Sequence, residues 1–169
     1  MFSVGDKVVY PVHGAGIIEK IETREFLGKE RDYYVLNIPT SSMKVMVPCD
    51  NVEDAGIRNV ISSAESEKVL SILGGYNIDR QEAVQVSLDD KWNRRYRIHM
   101  DKIKSGNIYD LAETVRALSL RNDKKPLSGG EKKLLDQAKD ILVSELVLAC
   151  NATAESMLEE VEEKLRQKV

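Results

Sequence analysis

The fold is decided near the N-terminus by the stretch KVVYPVHGAGIIEKIETRE, residues 7–25. Two runs rich in β-branched and aromatic residues are separated there by a His-Gly turn, a pattern typical of two consecutive strands. Three segments continue the pattern: FLGKE (26–30), which predicts a hairpin turn centred on Gly28, RDYYVLNI (31–38) and SMKVMVP (42–48). Four or five short strands within about 50 residues predict a small SH3-like or Tudor-like barrel.

After residue 61 the spacing of apolar residues changes to a helical period. Ser62-x-x-Glu65 and Ser128-x-x-Glu131 have the capping-box pattern, and Asn107 is placed to cap a further helix. The apolar positions on the predicted core faces are Val69, Leu70 and Leu73; Ile108, Leu111, Ala112, Val115 and Leu118; Leu134, Leu135, Ala138, Ile141, Leu142, Leu146 and Ala149; and Leu158, Val161 and Leu165. These segments predict an all-α region.

The chain is therefore predicted to be an α+β protein of two domains. Residues 1–60 form the β domain and residues 61–169 form a bundle of about four to five helices. Residues 76–87 have no clear period and are interpreted as a linker inside the second domain. Ser87-x-x-Asp90 resembles another capping box and predicts the start of a helix that carries Trp92.

Composition excludes several classes of protein. The chain has 42% hydrophobic and 31% charged residues, the balance of a globular protein that can bury a core. No run approaches the roughly 20 apolar residues of a transmembrane helix, and the N-terminus lacks a secretory signal. Cys49 and Cys150 have no CxxC partner, which argues against a zinc site or a disulfide framework. A cytoplasmic location without a membrane contact is expected.

The motifs that suggest catalysis are incomplete. LSGGE at 127–131 is similar to the signature loop of ABC ATPases, but a GxxxxGK[ST] phosphate loop is missing, so a helix start explains it better. HGAG at 13–16 lacks a nucleophile with a base, because His13 and His99 are the only histidines. Cys49 has no convincing His/Asp partner set either. We therefore predict no enzymatic activity, no catalytic residue, no metal site and no cofactor.

The charge distribution draws attention to DDKWNRRYRIHMDK, residues 89–102, which contains the single tryptophan. Between Lys91 and Lys104 the net charge is +5, although the whole chain is at −3. Helical spacing gives two neighbouring stripes: Trp92, Tyr96, His99 and Ile103 on one, and Arg94, Arg97, Asp101 and Lys104 on the other. The spacing alone leaves two interpretations open. Trp92 is either part of a core beside solvated arginines or part of a surface that meets nucleic acid.

Three stretches together resemble one family. VGDKVVYPVHGAGIIEKIETRE (4–25), WNRRYRIHMDKI (92–103) and LSGGEKKLLDQAKDILVSELVLA (127–149) are similar to the CarD family of bacterial transcription regulators, and most of all to the CdnL-type members without an appended DNA-binding tail. The order and approximate spacing of the motifs are kept over nearly the whole chain.

The resemblance implies a non-enzymatic regulator with two contacts. In this family the Tudor-like domain binds the β subunit of RNA polymerase, and the helical domain contacts promoter DNA at the upstream edge of the transcription bubble. The family's tryptophan acts there as a minor-groove wedge that slows bubble collapse, and Trp92 matches it. The basic patch that the resemblance implies consists of Arg94, Arg95, Arg97, Lys132 and Lys133.

The resemblance also implies a polymerase-binding surface. Arg24 matches a basic residue that family members use. If Met43, Val45 and Val47 face the barrel core, Lys44 and Met46 are presented to the polymerase, and strand addition at this edge is the expected docking mode. Some relatives carry an arginine where Met46 stands, so the polar part of the contact differs here. A monomer associated with the nucleoid through RNA polymerase is expected.

Two other interpretations remain at this stage. A small barrel beside an Arg- and Tyr-bearing helix also suits an RNA- or ribosome-associated module. A peptide-binding adaptor, whose basic helix is only a solvated face, is the other alternative.

Overall fold

The structure, a computed structural model, describes residues 1–75 and 92–166. Its elements are β1 (Lys7–Tyr10), β2 (Gly14–Phe26), β3 (Lys29–Ile38), β4 (Met43–Pro48), a 3₁₀ turn (Cys49–Asn51), β5 (Arg58–Asn59), α1 (Ser63–Leu73), α2 (Trp92–Lys104), α3 (Ile108–Lys124), α4 (Gly129–Cys150) and α5 (Ala154–Arg166). An antiparallel sheet is followed by helices, which confirms the predicted α+β class. The predicted linker at 76–87 and the capping box at Ser87 lie outside the described residues.

The sheet has five strands in the order β4-β3-β2-β1-β5, so β4 and β5 are its two edges. Leu27 and Gly28 both have positive φ, which is the turn that joins β2 and β3 as a tight hairpin. This confirms the turn predicted at Gly28. A bulge between Ile18 and Lys20 bends β2. Strand β5 was not predicted, because two residues without apolar alternation give no signal.

One prediction about β4 is wrong. Val47 is buried in the sheet core and Val45 packs against it, but Met43 is 48% exposed. Met43 pairs with Ile38 at the far end of the β3–β4 ladder. Ile38 is only 1% exposed, so the end of the ladder buries its β3 residue but leaves Met43 on the edge strand exposed.

The predicted helix starts are confirmed by their caps. Ser62 and Glu65 form a complete capping box at the start of α1. The Asn107 side chain accepts hydrogen bonds from the backbone of Tyr109 and Asp110 at the start of α3. Ser128 accepts one from the Glu131 backbone, so LSGGE is the N-terminus of α4.

The helical core contains the predicted apolar faces of α1, α3 and α4, with Ala149 only half-buried. The prediction for α5 is wrong in one residue. Leu158 is 42% exposed, and Met157, at 2%, takes the core position with Val161. Val161 is 0% exposed and Leu165 packs against the core, so the predicted face is kept there and only its first position moves by one residue, from Leu158 to Met157.

The sheet and the helical bundle are in direct contact. Val9 of β1 and Ala15 of β2 form a small buried cluster with Leu148 of α4. Within the described ranges, no single helix is long and apolar enough to cross a membrane. Only α4 and α5 taken together meet that test, and a bend of 115° separates them.

Candidate nucleic-acid interface

Helix α2 carries most of the basic block, and its residues divide between two faces. Arg94, Arg97 and Lys104 are exposed. Tyr96 and Met100 are half-buried and pack against the helical core. Trp92 is the first residue of α2. Its side chain is outside the described part of the structure, so the exposure of the indole stays a prediction.

Arg95 is the exception among the predicted DNA-contacting residues. It is 4% exposed, and its Nη2 atom donates a hydrogen bond to Glu131 Oε1 of α4 at 3.1 Å. Arg95, His99 and Ile103 follow each other at intervals of four, which places them on the inner face of the helix. The interpretation of Arg95 as part of an exposed basic patch is therefore wrong, because its guanidinium is sealed between α2 and α4.

Glu131 has two structural roles: it belongs to the N-terminal cap of α4, and it pairs with the buried Arg95. It is the third residue of α4, and Ser128 Oγ donates to its carboxylate at 3.3 Å. The same oxygen accepts the hydrogen bond from Arg95. The capping role of Glu131 can be predicted from the sequence. Its pairing with Arg95 cannot, because the two residues are 36 positions apart and no local pattern connects them. The first turn of α4 is thereby fixed against the first turns of α2.

Lys132 and Lys133 follow Glu131 directly and are both exposed. The buried pair of Arg95 and Glu131 joins the helix that bears Arg94 and Arg97 to the turn that bears these lysines. We call the exposed residues Arg94, Arg97, Lys132 and Lys133 the basic surface. Cations on two fixed elements are suited to hydrogen bonds with phosphate oxygens.

His99 lies beside the buried pair and is 4% exposed. The pKa of His99 is lowered from 6.5 to about 4, mainly by burial and next by the positive charge of Lys102, against the opposing effect of Glu131. Arg95 and Arg121 act in the same direction as Lys102. His99 is therefore neutral at pH 7 and adds no charge to the basic surface.

Lys102, counted in the basic block of the sequence, has a structural contact. Its Nζ atom lies 3.2 Å from Glu113 Oε2 of α3, and both side chains are mostly buried. This ion pair connects α2 to α3. Among the described residues, no group of three or more His, Cys, Asp or Glu side chains could hold a metal ion.

The predicted polymerase-contacting residues lie on one face of the sheet. Met46 pairs with Val35, Lys44 with Asn37, and Arg24 with Arg31. The β3 partners are all odd-numbered, and side chains alternate along a strand, so the three side chains project from the face opposite Tyr34 and Leu36 in the sheet core. We call Arg24, Lys44 and Met46 with their β3 partners the outer face.

The members of the outer face differ in exposure and in position. The Arg24 side chain is 60% exposed and 3.6 Å from Glu22, and the Lys44 side chain is 63% exposed and 3.3 Å from Glu19. Met46 is half-buried. Six residues of β3 separate the Arg24 and Lys44 rows, which corresponds to about 20 Å. A partner that contacts both must span most of the sheet.

Comparison with known proteins gives a consistent result for both parts of the chain. The family described as "CarD-like/TRCF RID domain" matches residues 2–61, and "CarD, C-terminal domain" matches residues 76–162. "Putative transcription factor YdeB" of Bacillus subtilis (strain 168) is 41% identical over 146 residues, which cover 86% of this chain and 90% of that protein.

Among solved structures, the 72-residue N-terminal domain of Myxococcus xanthus CarD, determined by solution NMR, is 30% identical. The match covers 35% of this chain and 79% of that domain, with a TM-score of 0.31. The family matches and the relative confirm the resemblance first seen in the sequence motifs. The chain is a member of the CarD family of transcription regulators.

Proposed function

We propose that this protein binds the β subunit of RNA polymerase with residues 1–60 and promoter DNA with residues 61–169, and so stabilises the open complex. A ligand that binds the open state more tightly than the closed state shifts that equilibrium by its differential affinity. Family membership supports a role in transcription regulation, and two separate candidate surfaces support two simultaneous contacts.

The polymerase contact is proposed on the outer face and the β4 edge. In the described part of the chain β4 pairs with β3 alone, so its other side can accept a further strand from a partner. Arg24 and Lys44 then supply the charged contacts. Met46 supplies an apolar contact where some relatives have an arginine.

The DNA contact is proposed on the basic surface, with Trp92 as the wedge. The single observation that carries this proposal is the buried hydrogen bond between Arg95 and Glu131, because it holds the exposed cations of α2 and α4 in one arrangement. Unstacking intact duplex costs a few kcal/mol per step, so an indole wedge favours DNA that is already opening. The upstream edge of the bubble meets that condition.

The test is the half-life of a promoter open complex with and without the protein. We expect Trp92→Ala and Arg97→Ala each to shorten the half-life that the wild-type protein produces. Polymerase binding should stay unchanged, because both residues lie on α2. Arg166→Ala, which removes an exposed cation of α5, serves as the control.

Wild-type half-lives for both α2 variants on several promoters would overturn the proposed DNA contact. Purification of the tagged protein from cells tests the partner independently. Ribosomes without polymerase in that purification would favour an RNA-associated module.

A further inference from the structure

The sheet and the helical bundle are joined by a clamp of two charged residues. Arg58 of β5 donates two hydrogen bonds to the carboxylate of Glu145 in α4, from Nη1 to Oε2 and from Nη2 to Oε1, each at 2.7 Å. The Glu145 side chain is 2% exposed and that of Arg58 31%. This bidentate geometry fixes the direction of the guanidinium as well as its distance. We call the pair the interdomain clamp.

The clamp also reaches two backbone segments. Arg58 Nε donates to the carbonyl oxygen of Gly106 at 2.8 Å, and Glu145 Oε2 accepts from the backbone N–H of Ile61 at 3.0 Å. Gly106 lies in the turn between α2 and α3, and Ile61 lies between β5 and α1. A single guanidinium therefore connects an edge strand of the sheet to the end of α2, the helix that bears Arg94 and Arg97 of the basic surface.

A second set of contacts supports the same orientation. Ser144, next to Glu145 in α4, accepts a hydrogen bond from the Ala15 backbone at 2.8 Å, and Lys7 Nζ donates to the Leu148 carbonyl at 3.2 Å. A Cβ atom on Gly14 would lie 3.0 Å from Ser144 Oγ. The backbone of β2 and the Ser144 side chain are therefore closely packed at this point.

The register of strands β2, β3 and β4 shows which part of the sheet the helical bundle leaves exposed. Ile17 of β2 pairs with Asn37, and Asn37 pairs with Lys44, so the three lie on one face of the sheet. Ile17 packs against the small cluster that contains Leu148 of α4. The bundle therefore covers this side of the sheet at β1 and at the start of β2, and Lys44, on the same side at β4, remains exposed.

We propose that Arg58, through Glu145 and the Gly106 carbonyl, is a positioning residue that fixes the angle between the outer face and α2. The inference rests on the proposed function, because the angle matters only if the two surfaces bind one assembly together. When one molecule binds polymerase and DNA together, the first contact raises the effective concentration for the second. This gain is realised only if the angle between the two surfaces permits both contacts at once. Arg58 itself contacts neither partner.

The experiment measures orientation and activity separately in the full-length chain. Spin labels at Glu30→Cys on β3 and Asp101→Cys on α2, both exposed positions, report the distance between the two parts by pulsed electron resonance. Cys49→Ser and Cys150→Ser remove the two native thiols. The open-complex half-life is measured with unlabelled protein that has the native cysteines.

Three variants are compared with the parent. Arg58→Met keeps much of the apolar stem and removes the donors, and Glu145→Gln keeps the shape but weakens the pairing. Lys139→Met is the matched control, since Lys139 pairs with Glu162 at 2.9 Å inside the helical bundle and does not reach the sheet.

We expect one narrow distance distribution for the parent and for Lys139→Met, a broad one for Arg58→Met and an intermediate one for Glu145→Gln. Arg58→Met should shorten the open-complex half-life on the order of tenfold, with unchanged binding to polymerase alone. A narrow distribution for Arg58→Met, or a broad one with a wild-type half-life, overturns the inference. If the parent protein does not lengthen the half-life, the proposed function is overturned instead. The distance distributions then still test whether Arg58 fixes the orientation of the two parts.

Discussion

The guanidinium of Arg95 and the carboxylate of Glu131 meet at 3.1 Å inside the helical bundle, with side chains only 5% and 2% exposed. Each of these buried charges stabilises the other, because a single unpaired charge in an interior of low polarity is strongly destabilising. The pair therefore belongs to the scaffold, although Arg95 lies between two residues of the basic surface in the sequence.

Stability measurements should separate Arg95 from its neighbours. Arg95→Ala leaves the buried Glu131 carboxylate without its cation, so we expect the free energy of unfolding to fall by about 3–5 kcal/mol. The exposed control Arg97→Ala should change it by less than about 0.5 kcal/mol. Chemical denaturation of both variants provides the measurement, and equal midpoints would contradict the buried pair.

The acid stability of the protein should depend on His99. Since the pKa of His99 is about 4 in the folded chain and 6.5 is its ordinary value, the folded state favours the neutral ring. Its stabilisation is complete above pH 6.5 and is lost as the pH falls toward 4. We expect a loss of about 2 kcal/mol between about pH 7 and pH 5.

His99→Gln removes this titration, so its free energy of unfolding should depend less on pH than that of the wild-type protein over the same interval. His13→Gln, at an exposed position, is the control and should follow the wild-type curve. Parallel curves for wild type and His99→Gln would show that the ring does not titrate as its burial implies.

Local patterns predicted much of this fold because the interactions behind them are local. The caps formed by Ser62, Asn107 and Ser128 involve neighbours within three residues and were all identified. Periodicity located the helical faces but misplaced one core position of α5 by one residue, because Met157 is buried there and Leu158 is 42% exposed. Which residues of a helix are buried also depends on the element that packs against it, and the sequence of the helix gives no information about that element.

The charged contacts that hold the structure together could not be predicted in the same way. Arg95 was assigned to the DNA-facing basic patch together with Arg94 and Arg97, because the family resemblance implied it. Arg58 and Glu145 are separated by 87 positions. Burial of a charge is decided by its counter-charge, so only the tertiary structure distinguishes these residues from exposed ones such as Arg97.

Binding to a forked DNA fragment should show the salt dependence of phosphate contacts. Removing one phosphate-contacting cation lowers the slope of log affinity against log salt by about 1. We expect this change for Arg97→Ala and for Lys132→Ala. Arg166→Ala should keep the wild-type slope, and fluorescence anisotropy over a range of salt concentrations gives the values. Unchanged slopes for Arg97→Ala and Lys132→Ala would remove both residues from the DNA contact.

Charge reversal on the outer face should weaken polymerase binding without affecting the fold. The Arg24 side chain is 60% exposed, so Arg24→Glu costs little packing, yet it places a carboxylate beside Glu22 where the proposed contact requires a cation. We expect affinity for the β subunit to fall on the order of tenfold, as for the loss of a charged interface contact. Lys68→Glu, an exposed reversal on α1, is the control for net charge. Since both variants shift the net charge equally, equal retention by immobilised polymerase would mean that the contact does not use this face of the sheet.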